Sequence, residues 1–372
     1  MGFNNIELIT DRPLKDNLRE IEEVKKHFPD HAVITSLMVE TREQWHQIVR
    51  DCENAGSDGH ELNFGCPHGM CERGMGSAVG QEPKVLKTIV EWVKEVATKP
   101  VIVKLTPNIS DITEPAVAAV RGGADAISLI NTIQSIVSVN LDTLVPNPMV
   151  DGLSTNGGYC GPAVKPIALN MVKNCAQHPE VNIPISGIGG IEGWREAAEH
   201  ILLGAGSVQI CTAVMHYGFG IIREILPGFE NYMREKGFNS IEEMTGLSNK
   251  KVVGWENLNL KNKVVAAINP DKCIECQLCY TACEDGAHQA IGLPKDGDRV
   301  PYIIEDNCVG CNLCSLVCPV ESCITMERRD DGSETVTWKD KIAKNEIPDH
   351  FNDERGGGTH HYVPAPFEAL KK

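Results

Sequence analysis

Two glycine-rich stretches decide the class of fold: GIGGIEG at residues 187–193 and GAGSVQICTAV at residues 204–214. They place a glycine-rich turn at the end of each of the last two predicted β-strands of the first domain. Loops in these positions form the phosphate-binding site of (β/α)8 barrels. The first stretch is not a dinucleotide fingerprint, because Glu192 stands where the third glycine belongs. We interpret both stretches as a phosphate clasp; glycines that serve only tight turns are the alternative.

Upstream of these turns, short apolar strands alternate with longer amphipathic helices, which is typical of βα units around a parallel sheet. The predicted strands are residues 32–39, 60–64, 101–105, 126–130, 183–187 and 207–211. The predicted helices lie near residues 42–54, 84–97, 112–121, 164–176, 192–203 and 216–235. These are six βα units, whereas a TIM barrel has eight. We therefore predict an α/β fold of (β/α)8 TIM-barrel type that lacks its first two βα units; a doubly wound open sheet is the competing architecture.

Cysteines are concentrated near the C-terminal end: nine of the 15 lie within residues 273–323. The runs CIECQLCYTAC (273–283) and CVGCNLCSLVCP (308–319) share the spacing C-x2-C-x2-C-x3-C. In bacterial ferredoxins with this spacing, the fourth cysteine of each run ligates the other cluster. One [4Fe-4S] cluster is thus predicted on Cys273, Cys276, Cys279 and Cys318, and the other on Cys308, Cys311, Cys314 and Cys283. Two zinc sites are the alternative, and Cys323, outside both runs, is interpreted as a buried apolar residue.

The change in cysteine content predicts a domain boundary. We expect a barrel domain over residues 1–245, a linker over 246–266, a small α+β ferredoxin domain over 267–328 and a polar, extended tail over 329–372. The tail is charged and low in apolar residues, a composition that is typical of segments that do not fold alone.

Composition restricts the partners and the compartment. The formal net charge of −16 argues against nucleic acid and anionic membrane surfaces as partners. There is no run of 18 apolar residues and no signal-peptide pattern, so we expect a cytoplasmic protein. In that compartment cysteines serve as metal ligands, catalytic thiols or core residues rather than as disulfides.

Several motifs together resemble one enzyme family, the FMN and iron–sulfur subunits of dihydropyrimidine dehydrogenases. They are NIEL (5–8), ELNFGCPHGM (61–70), ERGMG (72–76), KLTPN (104–108), GGYCGPAVKPIAL (157–169), GIGGI (187–191) and the two cysteine runs. The resemblance extends over nearly all of residues 4–328. Class 1 dihydroorotate dehydrogenases share the barrel and a similar cysteine loop, but they lack the ferredoxin module on the same chain.

The resemblance implies an NAD-dependent dihydropyrimidine dehydrogenase, with roles for individual residues. Cys66 is implied as the acid that protonates C5 of uracil or thymine while FMN N5 delivers hydride to C6, and Lys104 as the cation beside the flavin N1–C2=O edge. The implied pyrimidine-binding residues are Asn5, Glu7, Asn63, Asn131 and Thr132. The implied residues around the FMN ribityl phosphate are Gly161, Gly189, Gly190, Cys211 and Thr212. A thiol near its ordinary pKa of about 8.5 is mostly protonated at neutral pH, so it can donate; Cys71 is the alternative acid.

Electrons must reach the flavin from elsewhere, because no G-x-G-x-x-G unit opens a βα pair in this sequence. The resemblance implies a partner subunit that carries FAD and the NAD(H) site, hence a hetero-oligomer in which the two clusters pass electrons to FMN. Two rival functions remain open at this point. One is a dihydroorotate dehydrogenase-like flavoenzyme, and the other is a non-catalytic iron–sulfur electron-transfer protein whose incomplete barrel does not bind FMN.

Overall fold

The structure, a computed structural model, describes residues 2–6, 12–67, 74–286, 288–295, 297, 299–330, 332 and 334–346. The chain divides into two compact units, Met1–Val252 and Val253–Lys372. The division falls within the segment that was predicted to be a linker (246–266). No helix in the described part of the chain is long and apolar enough to cross a membrane.

The first unit is an α/β structure. Its strands are β1 (Phe3–Asn5), β2 (Ile34–Leu37), β3 (Gly59–Asn63), β4 (Val101–Lys104), β5 (Ala126–Leu129), β6 (Ile133–Ser135), β7 (Ser138–Val139), β8 (Pro146–Asn147), β9 (Met149–Val150), β10 (Leu153–Ser154), β11 (Gly157–Cys160), β12 (Ile185–Ile188) and β13 (Ser207–Gln209). Its α-helices are α1 (Leu14–His27), α2 (Arg42–Asn54), α3 (Ser77–Gly80), α4 (Pro83–Lys94), α5 (Thr113–Arg121), α6 (Lys165–Gln177), α7 (Trp194–Leu202), α8 (Thr212–Tyr217), α9 (Ile222–Lys236) and α10 (Ile241–Met244). Short 3-10 helices lie at Pro162–Val164, Phe219–Ile221 and Asn249–Lys251.

Six of these strands form one parallel sheet in the order β2-β3-β4-β5-β12-β13, and they are the six strands predicted from the sequence. Gln209 Nε2 on β13 donates a hydrogen bond of 2.7 Å to Glu61 Oε2 on β3, although three strands lie between them. In a flat sheet, four strand spacings of about 4.8 Å would separate these residues by about 19 Å. The sheet is therefore strongly curled, which confirms the barrel-type fold and excludes the open doubly wound sheet.

The core lies between this sheet and the helices outside it. Leu62, Val103 and Ile127 on three neighbouring strands are fully buried, as are Leu86 and Val90 on α4. Local signals set the helix starts: α2 begins with a capping box between Thr41 and Gln44, and Pro83 occupies the first turn of α4. Burial of these aliphatic side chains stabilises the unit by roughly 1.5–3 kcal/mol each.

Two parts of the first unit were not predicted. Helix α1 has apolar residues at helical spacing, but none of its residues is buried. It was not predicted because most of its residues are charged or polar. The antiparallel sheet β1-β11-β6 also escaped prediction, because its strands are three or four residues long and come from distant parts of the sequence. This sheet pairs Asn5 with Gly158 and so holds the N-terminal segment at the site described below.

The second unit has the fold expected of a two-cluster ferredoxin. It consists of strands β14 (Lys263–Ile268), β15 (Ile291–Gly292), β16 (Tyr302–Ile303) and β17 (Ile324–Arg329), helices α11 (Leu278–Asp285), α12 (Leu313–Val317) and α13 (Trp338–Ala343), and a 3-10 helix at Trp255–Asn257. Strands β14 and β17 pair antiparallel over their whole length. Helices α11 and α12 follow the two cysteine loops at equivalent positions, which gives the unit an internal two-fold repeat.

Two boundaries in this unit differ from the prediction. Strand β14 begins at Lys263, inside the predicted linker. The segment 329–372 was predicted to be extended, yet it contains α13, which starts with a capping box between Thr337 and Asp340. Overall composition concealed this local helix signal. Residues 347–372 lie outside the described residues.

Candidate active site and cluster cavities

An open cavity lies at the C-terminal ends of the parallel strands, where barrel enzymes place their chemistry. It encloses about 730 Å³ of space, part of it open to solvent. Its apolar lining includes Ile130, Val164, Ile188, Ile191, Ile210, Ala213 and Met215. Polar side chains and exposed backbone occupy the remaining wall. This combination suits a flat, largely apolar ring system that carries a polar or anionic tail.

Nine of the residues predicted for the barrel site line this one cavity. They are Asn5, Lys104, Asn131, Thr132, Gly161, Gly189, Gly190, Cys211 and Thr212. Glu7 and the rival acid Cys71 lie outside the described residues. Asn63 and Cys66 do not line the cavity directly, and their positions are given next.

Asn63 lies at the end of β3, immediately behind the cavity wall. Its Oδ1 accepts hydrogen bonds from Asn131 Nδ2 (2.9 Å) and from the backbone N–H of Gly65 (3.3 Å). Asn131 Oδ1 in turn accepts from the backbone N–H of Thr132 (2.7 Å). The two asparagines therefore hold each other in place, and each amide can still form further hydrogen bonds with a bound molecule.

Cys66 is buried, with 6% of its surface exposed, and it sits one residue beyond the contact with Asn131. A Cβ placed on Gly65 would lie 2.3 Å from Asn131 Cβ, so only glycine allows this segment to approach the cavity wall. On the other side, the carbonyl oxygen of Cys66 accepts from the backbone N–H of Ser77, the first residue of α3. The segment is thus held at both ends of the cysteine.

The turn after β12 has the chemistry of an anion site. Gly190 adopts a φ of +73°, and a Cβ there would lie 2.7 Å from Lys165 Cβ. Within the described residues, the N–H groups of Gly190 and Ile191 donate to no other protein atom. His200 supports the turn from below, since its buried Nε2 lies 3.2 Å from the carbonyl oxygen of Gly189. Backbone donors in a glycine turn at this position fit a phosphate group.

A network of charged and polar side chains crosses the interior of the sheet. Lys104 Nζ on β4 donates to Glu61 Oε1 (3.0 Å) and to Gln209 Oε1 (3.3 Å). Glu61 Oε2 accepts from Ser128 Oγ (2.8 Å) and from Gln209 Nε2 (2.7 Å). Of these residues, Lys104 was predicted from the sequence, whereas Glu61, Ser128 and Gln209 were not. Glu61 could have been identified from the sequence, because it lies inside the predicted strand at residues 60–64. A carboxylate is rare at a buried strand position unless it is paired.

A thiol also faces this site from β11. Cys160 lines the cavity, and its Sγ accepts a 3.2 Å hydrogen bond from Thr212 Oγ1. Burial raises the pKa of this thiol. Cys160 is therefore a protonated part of the wall, and its Sγ also donates to the carbonyl oxygen of Phe3 (3.3 Å). No role was predicted for it from the sequence.

The second unit contains two cavities that match the predicted ligand sets. One cavity is lined by Cys283, Cys308, Cys311 and Cys314. The other is lined by Cys273, Cys276, Cys279 and Cys318, with Cys323 beside them. In each cavity, three cysteines come from one loop and the fourth comes from the other run, which is the crossed arrangement that the spacing predicts.

The cysteine loops themselves are shaped to wrap a cluster. Glu275 and Gly310 occupy equivalent places in the two loops and both have positive φ, as do Gln277 and Asn312. Such left-handed residues curl the backbone around the cavity. Backbone N–H groups also point at sulfur: Glu275 N lies 3.4 Å from Cys273 Sγ. The four predicted ligand thiols in each cavity and the N–H···S contacts fit a [4Fe-4S] cluster.

These features define a class of protein, an oxidoreductase that joins a flavin-type barrel to a two-cluster ferredoxin. The family model for dihydroorotate dehydrogenase matches residues 1–233, and the model for the 4Fe-4S dicluster domain matches residues 266–326. The chain belongs to the dihydroorotate dehydrogenase family. FMN and two [4Fe-4S] clusters are accordingly its cofactors.

Three relatives show where in the family the chain falls. It is 44% identical to the NAD-dependent dihydropyrimidine dehydrogenase subunit PreA of Escherichia coli, over 88% of this chain and 79% of that protein. It is 45% identical to the chloroplastic dihydropyrimidine dehydrogenase (NADP(+)) of Arabidopsis thaliana, over 67% of this chain and 59% of that protein. It is 42% identical to the catalytic subunit of dihydroorotate dehydrogenase B (NAD(+)) of Pyrococcus furiosus, over 62% and 73% respectively.

Proposed function

We propose that this chain is the catalytic component of an NAD-dependent dihydropyrimidine dehydrogenase, which interconverts uracil or thymine and the 5,6-dihydropyrimidine. The observation that carries the proposal is that nine predicted site residues line one cavity of a chain in which two further cavities are each lined by four predicted cluster ligands. One relative, 44% identical over 88% of this chain, is a dihydropyrimidine dehydrogenase subunit, and this similarity supports the same assignment.

The polar groups around the cavity suit an uncharged pyrimidine ring. Uracil presents alternating carbonyl acceptors and N–H donors, and the amides of Asn5 and Asn131 offer both functions. Thr132 adds a hydroxyl next to them. Because Asn63 holds Asn131 in place at 2.9 Å, the recognition surface is organised before the substrate arrives. We assign these residues to pyrimidine binding, together with Glu7.

The same surface is less suited to orotate, whose carboxylate requires a cation. Among the described residues that line the cavity, Lys104 is the one cationic side chain. It already carries an ion pair with Glu61 at 3.0 Å. A site that buries a carboxylate without its own cation loses several kcal/mol. This observation favours uracil or thymine over dihydroorotate.

We assign the proton transfer to Cys66. Its backbone is fixed between the contact of Gly65 with Asn131 and the hydrogen bond from Ser77, so the thiol stays next to the pyrimidine-binding groups. FMN supplies the hydride from N5 when it is bound. Cys66 Sγ donates the proton to C5 in the reduction and accepts it in the reverse direction.

We assign FMN to the first unit and the two clusters to the second unit. Gly161, Gly189, Gly190, Cys211 and Thr212 would hold the ribityl phosphate of FMN, and Lys104 would lie beside its pyrimidine edge. In the second unit, the eight cysteines of the two runs would hold the clusters. Electrons would come from a partner subunit that carries FAD and NAD(H), so that the working enzyme is a hetero-oligomer.

Substrate turnover by the reconstituted full chain tests the proposal. The purified protein is loaded with FMN, iron and sulfide, reduced anaerobically, and assayed in parallel with uracil, thymine and orotate. We expect rapid oxidation by uracil and thymine and little by orotate. Preference for orotate would instead show that the chain is a dihydroorotate dehydrogenase-like enzyme. Failure to bind FMN would show that it is a non-catalytic iron–sulfur protein.

A further inference from the structure

The interior network below the cavity assigns a role to Glu61 that the motifs do not. Glu61 lies in the middle of β3, its side chain is 10% exposed, and it contacts side chains from three other strands. A buried carboxylate is costly unless it is paired and hydrogen-bonded. Glu61 meets both conditions, and its ionic partner is the lysine at the cavity.

The hydrogen bonds around Lys104 leave one donor for the cavity. An ammonium group has three N–H donors. Glu61 Oε1 and Gln209 Oε1 accept two of them, at 3.0 and 3.3 Å. Within the described residues these are the acceptors of Lys104, and the same lysine lines the cavity. The remaining N–H is therefore aimed by the two acceptors beneath it.

The acceptors are themselves fixed. Gln209 Nε2 donates to Glu61 Oε2 (2.7 Å), so the amide cannot rotate without losing both of its contacts. Ser128, which is fully buried, donates to the same oxygen at 2.8 Å. The carboxylate thus has a single orientation, and its negative charge lies within 3.0 Å of the ammonium group.

We infer that Glu61 is a positioning residue that sets the redox potential of the bound flavin through Lys104. This inference rests on the proposed function, because it takes the cavity to hold FMN with its pyrimidine edge near Lys104. Reduced flavin carries negative charge at that edge, and a cation there stabilises it. Glu61 neutralises part of the lysine charge, and so it keeps the flavin potential lower than the lysine alone would make it.

Replacing Glu61 by glutamine removes the charge and keeps the shape. In the Glu61→Gln protein, the flavin potential should shift to a more positive value. Equivalently, reduced FMN should bind more tightly relative to oxidised FMN, by a factor of about ten or more, because the full charge of Lys104 then acts on the flavin in a partly buried site without the offsetting charge of Glu61. Glu61→Asp keeps the negative charge but moves it away from Lys104 by the length of one methylene group. A smaller positive shift of the flavin potential is therefore expected.

The test is an anaerobic spectroelectrochemical titration of the FMN-loaded full chain. Ser128→Ala is the matched control, since it removes a hydrogen bond to the same carboxylate without changing any charge, and it should give no positive shift. The two iron–sulfur clusters provide an internal reference whose potentials should stay unchanged. If Glu61→Gln does not fold, Glu61→Asp must still show the positive shift.

Two results would overturn the inference while leaving the proposed function intact. One is a flavin potential that is the same in the wild type and in both Glu61 variants; Glu61 would then only stabilise the barrel interior. The other is a shift to more negative potential in Glu61→Gln, which would mean that the unpaired lysine has lost its charge. Failure of the wild-type chain to bind FMN would refute the proposed function, and this inference with it.

Discussion

In the iron–sulfur unit, three of the four predicted ligand cysteines of each cavity come from one short loop, residues 273–279 or 308–314. The barrel cavity, in contrast, is lined by side chains from positions spread between Asn5 and Met215. The first site is encoded mainly by local spacing. The second depends on the packing of a curled sheet, so that a single substitution far away in sequence can alter it.

This contrast predicts which substitutions abolish the reaction and which only weaken binding. Loss of a group that reacts should have the largest effect, and loss of one cluster ligand should disable one unit and spare the other. Substitutions of single residues elsewhere in the barrel site should have smaller effects on activity and binding, because many residues contribute to binding there.

The largest effect is expected for Cys66→Ala. Loss of the proton donor should lower uracil reduction at least about 100-fold, which is the usual range for a general acid. The absorption spectrum of bound FMN should stay unchanged. Cys52→Ala, which removes another buried thiol of the barrel unit, is the matched control. Retained turnover in Cys66→Ala would show that a different acid does the work.

The cluster ligands come next. Cys279 and Cys323 line the same cavity, and both are buried, but only Cys279 belongs to a predicted ligand set. Cys279→Ala should lose iron and turnover driven by the partner subunit, while chemically reduced flavin still reacts with uracil. Cys323→Ala should keep its full iron content and the EPR signals of both clusters. Equal iron loss in both variants would contradict the ligand assignment.

The phosphate turn offers a smaller, graded effect. Gly190→Ala introduces a Cβ at φ +73° and 2.7 Å from Lys165 Cβ, and such strain costs about 1–3 kcal/mol. FMN should therefore bind about tenfold or more weakly in an equilibrium dialysis measurement. Gly206→Ala is the control, because a Cβ there meets nothing within 4 Å. Unchanged FMN affinity in Gly190→Ala would place the phosphate elsewhere.

The smallest effect concerns acid stability. Burial lowers the pKa of His200 and of His60, so both are neutral in the folded chain near neutral pH. In the unfolded chain a histidine takes up a proton below about pH 6.5. Stability should therefore fall as the pH decreases below that value, by at most about 1.4 kcal/mol per pH unit for each group. Urea denaturation between pH 7 and pH 5.5 should show a shallower decrease for His200→Gln than for the wild type; equal slopes would contradict the assignment.

The contrast between the units also explains what the sequence could predict. The six parallel strands, most of the helices between them and the crossed cysteine sets follow from periodicity and spacing, which are local. The sheet β1-β11-β6 and the network of Glu61, Ser128 and Gln209 do not, because their partners meet only after the barrel curls. Lys104 was identified through its motif, but its pairing with Glu61 is visible only in three dimensions.

We propose that one chain reduces a pyrimidine ring in the barrel cavity with electrons that its clusters can supply. Anaerobic single-turnover absorbance tests it most directly: fully reduced, FMN-loaded chain is mixed with uracil, and flavin and cluster bands are followed together. We expect uracil to reoxidise the flavin and then the clusters, with dihydrouracil formed in proportion to the electrons lost. Flavin and clusters that stay reduced in the presence of uracil and thymine would contradict it.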